Sequence, residues 1–294
     1  MIDLHCHILP GVDDGAVDLA VALEMARAFV ADGVSVVACT PHILPGLYHN
    51  SADAIRNATS ALQAVLESEG IPLRLVPGAD NHIAPDGPAR LRSGHMLALA
   101  DSHYVLIEPP HNVVPQRIEA AFFDLQLAGY VPILTHPERL QWIEGHADLI
   151  RKLAVAGVWM QITAGSLAGA FGSRAQYWAE RLLEEGCAHI LATDAHDVHS
   201  RPPDLSRGAE LAARRVGNVE AWHLVSTRPR GVLDNVPTAD LPLPERFGHF
   251  SGLSHGGDGI AGQGLTTPEP RRTGAAGDRG LRGLAGRLRR FLAV

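Results

Sequence analysis

Two histidines one residue apart, His5 and His7, open the sequence in Ile2-Asp3-Leu4-His5-Cys6-His7. On an extended strand alternate side chains share a face, so both imidazoles point the same way and form a pair of metal ligands. The chain runs on into Ile8-Leu9-Pro10-Gly11-Val12-Asp13-Asp14-Gly15, which adds two carboxylates beside a glycine that permits a tight turn. Asp194 and His196 repeat the alternate spacing far downstream, and His42, Asp80, Glu108 and His136 stand between. A lone His-x-His arises easily by chance, and it is the joint pattern that carries the signal. With Asp14, nine side chains offer nitrogen or carboxylate oxygen and no sulfur. That donor set suits manganese, iron or zinc in a reactive site more than a structural zinc site, which recruits cysteine. Nine ligands are too many for one ion and enough for two or three that share a bridging carboxylate.

The elements that must position these residues are legible in the hydropathy pattern. Apolar strand-like runs at 34–39, 73–76, 104–107, 131–134 and 189–192 lead into His42, Asp80, Glu108, His136 and Asp194. A further run at 158–162 leads into Thr163-Ala164-Gly165-Ser166. Helical spacing is read at 17–31, 51–69 (Ser51 as N-cap, Gly70 as stop), 118–128, 149–156 and 176–185. Strands alternating with helices predict a parallel sheet, and about seven such units at this length predict a closed barrel over an open sheet. Polar residues at strand C-termini are where active sites of such folds lie.

Composition narrows the function. Apolar residues make up 46% and charged residues 19% of the 294, ordinary for a globular protein. No apolar run approaches a membrane span and no secretion signal is read, so a cytoplasmic location is expected. None of Cys6, Cys39 and Cys187 is followed six residues later by arginine, which removes a Cys-x5-Arg phosphate loop and its thiol chemistry. The net charge of −7 hides an asymmetry: residues 268–294 carry seven arginines against Glu269 and Asp278, leaving 18 basic against 30 acidic side chains elsewhere. An acidic body argues against nucleic acid as a partner.

The motifs Asp3-Leu4-His5-Cys6-His7-Ile8-Leu9-Pro10-Gly11-Val12-Asp13-Asp14-Gly15, Thr40-Pro41-His42, Ile107-Glu108, His136-Pro137-Glu138-Arg139, Gln161-Ile162-Thr163-Ala164-Gly165-Ser166 and Asp194-Ala195-His196, with Arg201-Pro202 after them, resemble the polymerase-and-histidinol-phosphatase (PHP) superfamily. Within it the chain is similar to the bacterial capsule and exopolysaccharide (CpsB/CapC-like) metal-dependent protein-tyrosine phosphatases over residues 1–235. The resemblance implies a distorted (β/α)7 barrel of the PHP type and a trinuclear centre. His5, His7, Asp80 and Asp194 would hold one ion, Asp80, Glu108 and His136 a second, and Asp14, His42 and His196 a third. Manganese is the expected metal, with iron or zinc as alternatives. It also implies that Arg139 and Arg201 bind phosphate in forked fashion, and that Glu138 and Asp197 orient ligand histidines. Asp80 departs from the family pattern, which has glutamate there; either the backbone after Pro77-Gly78 moves inward or one metal is held more weakly.

The implied activity is hydrolysis of phosphotyrosine in proteins, with a membrane-associated bacterial tyrosine kinase of polysaccharide assembly as partner. A small-molecule phosphomonoesterase such as a histidinol phosphatase, and a catalytically weak metal-binding regulatory module, are the alternatives. The expected organisation is a phosphatase barrel over 1–239, a disordered low-complexity linker over 240–278 and a basic amphipathic helix over 279–294 that touches a membrane or partner. His82 is read as a rim histidine, and His111 as an ordinary one.

Overall fold

The short apolar runs form strands whose residues are almost all buried on both faces, as strands covered by helices must be. The structure is a computed structural model, and the described residues are 1–247. Ten strands are present among them: β1 (Ile2–Cys6), β2 (Val36–Cys39), β3 (His42–Leu44), β4 (Tyr48–His49), β5 (Arg74–Pro77), β6 (Asp80–His82), β7 (Tyr104–Glu108), β8 (Val131–Thr135), β9 (Trp159–Thr163) and β10 (Ile190–Ala192). The helices are α1 (Leu19–Ala31), α2 (Ala52–Ser68), α3 (Gly87–Arg92), α4 (Ile118–Leu127), α5 (Ile143–Val155), α6 (Ala164–Leu167), α7 (Gly172–Glu184), α8 (Leu205–Trp222) and α9 (Arg228–Leu233). The fold is mixed α/β.

One sheet runs β1-β2-β5 and the other β10-β9-β8-β7-β6-β3-β4. Every pairing is parallel except the β3–β4 hairpin. The chain steps from the first sheet to the second twice. Pro41, which has no N–H to donate, separates β2 from β3. Gly78 separates β5 from β6, where a Cβ would sit 2.8 Å from the Leu99 side chain and 3.1 Å from that of Thr40. Cys6 forms a parallel bridge with Ala195, and His7 N donates to Ala195 O at 2.9 Å.

The apolar core draws on every main strand: Ile2 and Leu4 of β1, Val36 and Ala38 of β2, Val76 of β5, Tyr104 and Leu106 of β7, Ile133 of β8, Trp159 of β9 and Ile190 of β10, with Val232 of α9. Burial of this set anchors the N-terminal halves of the strands and leaves their C-terminal ends for polar groups. Asp18 caps α1 by accepting from Val21 N at 3.0 Å, and Ser51 caps α2 by accepting from Ala54 N at 3.3 Å.

Most sequence-read elements stand within a few residues of their predicted limits, with two differences at the site. His42 and Asp80, read as loop residues following strands, begin the second strands β3 and β6 and are register partners. Helix α8 has no cap of its own; the Asp32 carboxylate accepts from Leu205 N at 2.8 Å and Ser206 N at 2.9 Å, so its start is set by a remote residue. Packing continues past residue 239: Arg228 Nε donates to Pro242 O at 2.7 Å, and the Phe247 ring lies 5.7 Å from that of His189. Most of the expected linker and the whole of the expected tail helix lie outside the described residues. Among the described residues no helix is long and apolar enough to cross a membrane.

His189 lies beneath α9, stacked on Trp159 at 5.2 Å, and accepts from Met160 N at 3.2 Å. Burial, reinforced by the Arg228 charge, lowers its pKa to about 3 from an ordinary 6.5. The neutral form is favoured in the fold, so its contribution to stability is full above pH 6.5 and is lost as pH falls from there toward 3. Urea unfolding of His189→Asn, measured at pH 7 and pH 5, should show a smaller loss of stability on acidification than the parent; an equal loss would remove His189 from the acid-labile groups.

Candidate metal centre

The nine side chains singled out from the sequence converge at the strand ends. His5 and His7 come from β1 and its extension, His42 from β3, Asp80 from β6 and Glu108 from the end of β7. His136 follows β8, Asp194 and His196 follow β10, and Asp14 lies on the loop after β1. His5 Nε2 is 3.5 Å from Asp80 Oδ2 and 3.4 Å from Asp194 Oδ1. His7 Nε2 is 3.3 Å from His5 Nε2 and 3.2 Å from Asp194 Oδ1. His42 Nδ1 is 3.5 Å from Asp80 Oδ2 and 3.6 Å from Glu108 Oε2. His42 Nε2 and His196 Nε2 are 3.6 and 3.5 Å from Asp14 Oδ1, and His136 Nε2 is 3.6 Å from Glu108 Oε1.

Most of these separations are long for hydrogen bonds. They match the edge of a coordination shell: two donors each about 2.0–2.1 Å from a tetrahedral ion lie about 3.4 Å apart. Both carboxylate oxygens of Asp80, Nδ1 of His42 and of His136, and Nε2 of His196 are buried without a hydrogen-bond partner. Unpaired donors and acceptors of this kind are costly unless something binds them. The residues therefore fit a set of divalent ions.

Three of the histidines are held so that Nε2 faces the cluster. His5 Nδ1 meets Gln161 Oε1 at 2.8 Å, His7 Nδ1 meets Asp13 Oδ2 at 2.6 Å, and His196 Nδ1 meets Asp194 O at 3.0 Å. Acceptors at Nδ1 fix the proton there and leave the Nε2 lone pair for a ligand. Asp13 also accepts from Gly15 N and His42 N, both at 3.0 Å. Gly15 is itself indispensable, since a Cβ there would lie 2.0 Å from His7 O.

Asp194 joins two charge systems. Its Oδ1 faces His5 and His7, while its Oδ2 accepts from Arg139 Nη1 and Arg201 Nη2. Burial alone would raise this carboxyl, but His5, Arg139 and Arg201 hold it well below the carboxylate range. His136, pushed well down by burial and by Arg139, is neutral and ready to ligate. Burial opposes protonation of His7, yet Asp13 and Asp194 outweigh it and bring its pKa to about 10; an ion bound there must displace that proton. His136 and Asp194 both occupy the left-handed region, at φ 34° and 52°. Such backbone costs about 1–3 kcal/mol each and clusters at functional sites.

The groupings depart from the expected sets in detail. Donor groups are His7 with Asp14, His42 and His196; His5 with His7 and Asp80; His5 with His136 and Asp194; His42 with Asp80 and Glu108; and Glu108 with His111 and His136. His7 thus accompanies the set expected from Asp14, His42 and His196. His42 also reaches toward Asp80. His111, passed over in the sequence, brings Nε2 to 3.2 Å from Glu108 Oε1; no spacing signal marks it, because the loop after β7 folds it back. His82 joins none of these groups. Two further readings are corrected. Glu138 accepts from Thr163 N at 2.9 Å and Ser166 Oγ at 2.8 Å, and Asp197 accepts from His199 N and Ser200 N at 2.6 Å. The Glu138 carboxylate ties the segment after β8 to the end of β9 and to α6, and that of Asp197 serves its own loop; Asp13 and Gln161 orient the histidines instead.

A mixed α/β scaffold whose strand ends gather four carboxylates and five histidines into groups that could hold metal ions, with two arginines on one of those carboxylates, defines a metal-binding class of protein. The family model described as capsular polysaccharide synthesis, CpsB/CapC, matches residues 1–234, and the chain belongs to that family. It is 44% identical over 201 residues to the tyrosine-protein phosphatase YwqE of Bacillus subtilis, covering 68% of this chain and 79% of YwqE. The tyrosine-protein phosphatase CpsB of Streptococcus pneumoniae is 25% identical over 238 residues, 79% of this chain and 98% of CpsB. A chain from the crystal structures of YwqE and CpsB, which are described as unique metal-dependent tyrosine phosphatases, superposes with TM-score 0.77 at 39% identity, covering 80% of this chain and 95% of that one.

Removing the Asp13 carboxylate should weaken metal binding without removing a donor. Asp13→Ala is expected to lower apparent metal affinity about 10–100-fold in a chelator competition; unchanged affinity would mean that His7 is oriented without it.

Proposed function

We propose that the chain hydrolyses phosphotyrosine in proteins with two or three divalent ions, manganese foremost, held by His5, His7, Asp14, His42, Asp80, Glu108, His136, Asp194 and His196. The observation that carries this reading is the convergence of those donors at coordination-edge distances around unpaired buried atoms. Membership of a capsular polysaccharide synthesis family and likeness to tyrosine-protein phosphatases supply the substrate class. A phosphotyrosine protein is then the partner, and a membrane-associated tyrosine kinase of polysaccharide assembly, met in the cytoplasm, is the specific one. The two sheets are read as one distorted seven-unit barrel. The shared core and the Cys6–Ala195 bridge support that reading. Its phosphatase unit is taken as residues 1–239, with the linker and tail helix beyond it.

Bound divalent ions acidify water to give a nucleophile near neutral pH and offset charge on phosphoryl oxygens. The chain's own groups do the rest. Asp13 and Gln161 hold His7 and His5 in the ligating tautomer. The guanidiniums of Arg139 and Arg201, both on Asp194 Oδ2, stand where an incoming phosphate can exchange for that oxygen. No thiol competes: Cys6, Cys39 and Cys187 are buried, and burial pushes the Cys39 and Cys187 thiols up to about 12.

The Asp80 carboxylate lies 3.5 Å from both His5 and His42, and Gly78 two residues before it allows close packing against Leu99 and Thr40, which supports a shorter side chain reaching the same donors. Phosphate release from a phosphotyrosine peptide should depend on added manganese and vanish under chelation. It should exceed release from histidinol phosphate. His136→Ala and Asp194→Ala should each lower kcat/KM at least about a hundredfold. Full activity in either variant would contradict the ligand assignment, and preference for histidinol phosphate would contradict the substrate class.

A further inference from the structure

Arg139 and Arg201 come from different loops, after β8 and after β10, yet their guanidiniums meet at one oxygen of Asp194. Two cations brought together need an offset to their repulsion beyond one carboxylate. Phe171 supplies it. The Arg139 guanidinium carbon lies 4.4 Å from the centroid of the Phe171 ring, and that of Arg201 lies 5.8 Å from it. Both are within the roughly 6 Å over which a ring face attracts a cation. We propose that Phe171 is a positioning residue that holds both arginines in the arrangement that receives phosphate; this rests on the reading of Arg139 and Arg201 as phosphate-binding groups.

The surroundings fix Phe171 in this place. It immediately precedes α7, at Gly172, whose φ of 85° allows the chain to turn there. A Cβ on Gly165 would lie 3.2 Å from the Phe171 ring, so α6 closes against it. One turn into α7, Arg174 donates from Nη1 to Leu140 O at 2.8 Å and from Nη2 to Arg139 O at 3.2 Å. The first turn of α7 thus holds the Arg139 segment by its backbone while Phe171 faces its guanidinium. Beside Arg201 the ring borders a cavity of about 140 Å³, also lined by Gly165, Thr193 and Pro202, and Arg201 Nε is buried there without a hydrogen-bond partner. On this side the Phe171 ring stands 5.8 Å from the Arg201 guanidinium carbon. An incoming phosphate that takes the place of Asp194 Oδ2 would separate the arginines from their shared carboxylate, and the ring would remain to keep them paired. Preorganised donors bind without an ordering cost at the moment of contact.

The test is the dissociation constant of inorganic phosphate for the manganese-loaded full chain, measured by calorimetry beside metal content and thermal midpoint. Phe171→Leu should weaken phosphate binding about five- to thirtyfold with metal stoichiometry unchanged, since removal of the ring loses two cation contacts. Phe171→Tyr, which keeps the ring, should restore binding to within about twofold and guards against a packing defect in the leucine variant. Arg139→Ala and Arg201→Ala are measured in parallel. If they weaken phosphate binding and Phe171→Leu does not, the positioning role is overturned while the arginine reading stands. If neither arginine variant has an effect, the arginine reading fails and the role of Phe171 with it. Loss of binding in the tyrosine variant equal to that in the leucine variant would also overturn the proposal, because the ring face would then not be the cause.

Discussion

A single buried carboxylate, Asp194, ties together the two halves of the centre. Its two oxygens point in opposite directions, one to the imidazoles of β1 and the other to a pair of guanidiniums. A charge so deeply buried is tolerated only when surrounded by compensating partners. Those partners come from β1 and from two separate loops, so the strand ends must be held in fixed relation for the site to exist. Backbone bonds from His7 N to Ala195 O and from Asp194 N to His5 O, at 2.9 and 2.8 Å, do this directly. The left-handed backbone at Asp194 and His136 is the local cost of aiming side chains inward from strand ends.

The remaining architecture follows from separating an apolar interior from a polar rim. One or two residues from each main strand fill the core at the N-terminal side, with Val232 of α9 joining them. Arg228 in the same helix is fully buried and forks onto Glu220 at 2.8 and 2.9 Å, a paired arrangement that satisfies an otherwise prohibitive charge. With that end packed, the carboxylates and imidazoles are left to the opposite ends of the strands.

Much of this was legible in the sequence. Alternate-residue spacing put His5 with His7, and apolar runs located the strands that lead to Glu108 and His136, whereas Asp194 and His196, which follow β10, fall in different donor groups. What stayed hidden depends on long-range geometry. The strands at His42 and Asp80 are three residues each and follow strand interruptions at Pro41 and Gly78, so they have no hydropathy period of their own. The cap of α8 is an aspartate 173 residues away. Glu138 and Asp197 stand next to ligands in sequence, yet their carboxylates accept from Thr163 N and Ser166 Oγ and from His199 N and Ser200 N, partners that sequence nearness does not reveal. Gln161 and Asp13 orient histidines through contacts that only the folded chain creates, and the same holds for His111 beside Glu108 and for Phe171 beneath the arginines.

The most direct test of the central claim is a crystal structure of the manganese-loaded protein with anomalous scattering data collected at the manganese edge. The account predicts two or three anomalous peaks enclosed by the nine donors, with Asp80 and Asp194 contacting ions and Arg139 and Arg201 turned toward the open side. A single peak elsewhere on the surface, with the histidine and carboxylate cluster empty at saturating manganese, would contradict it.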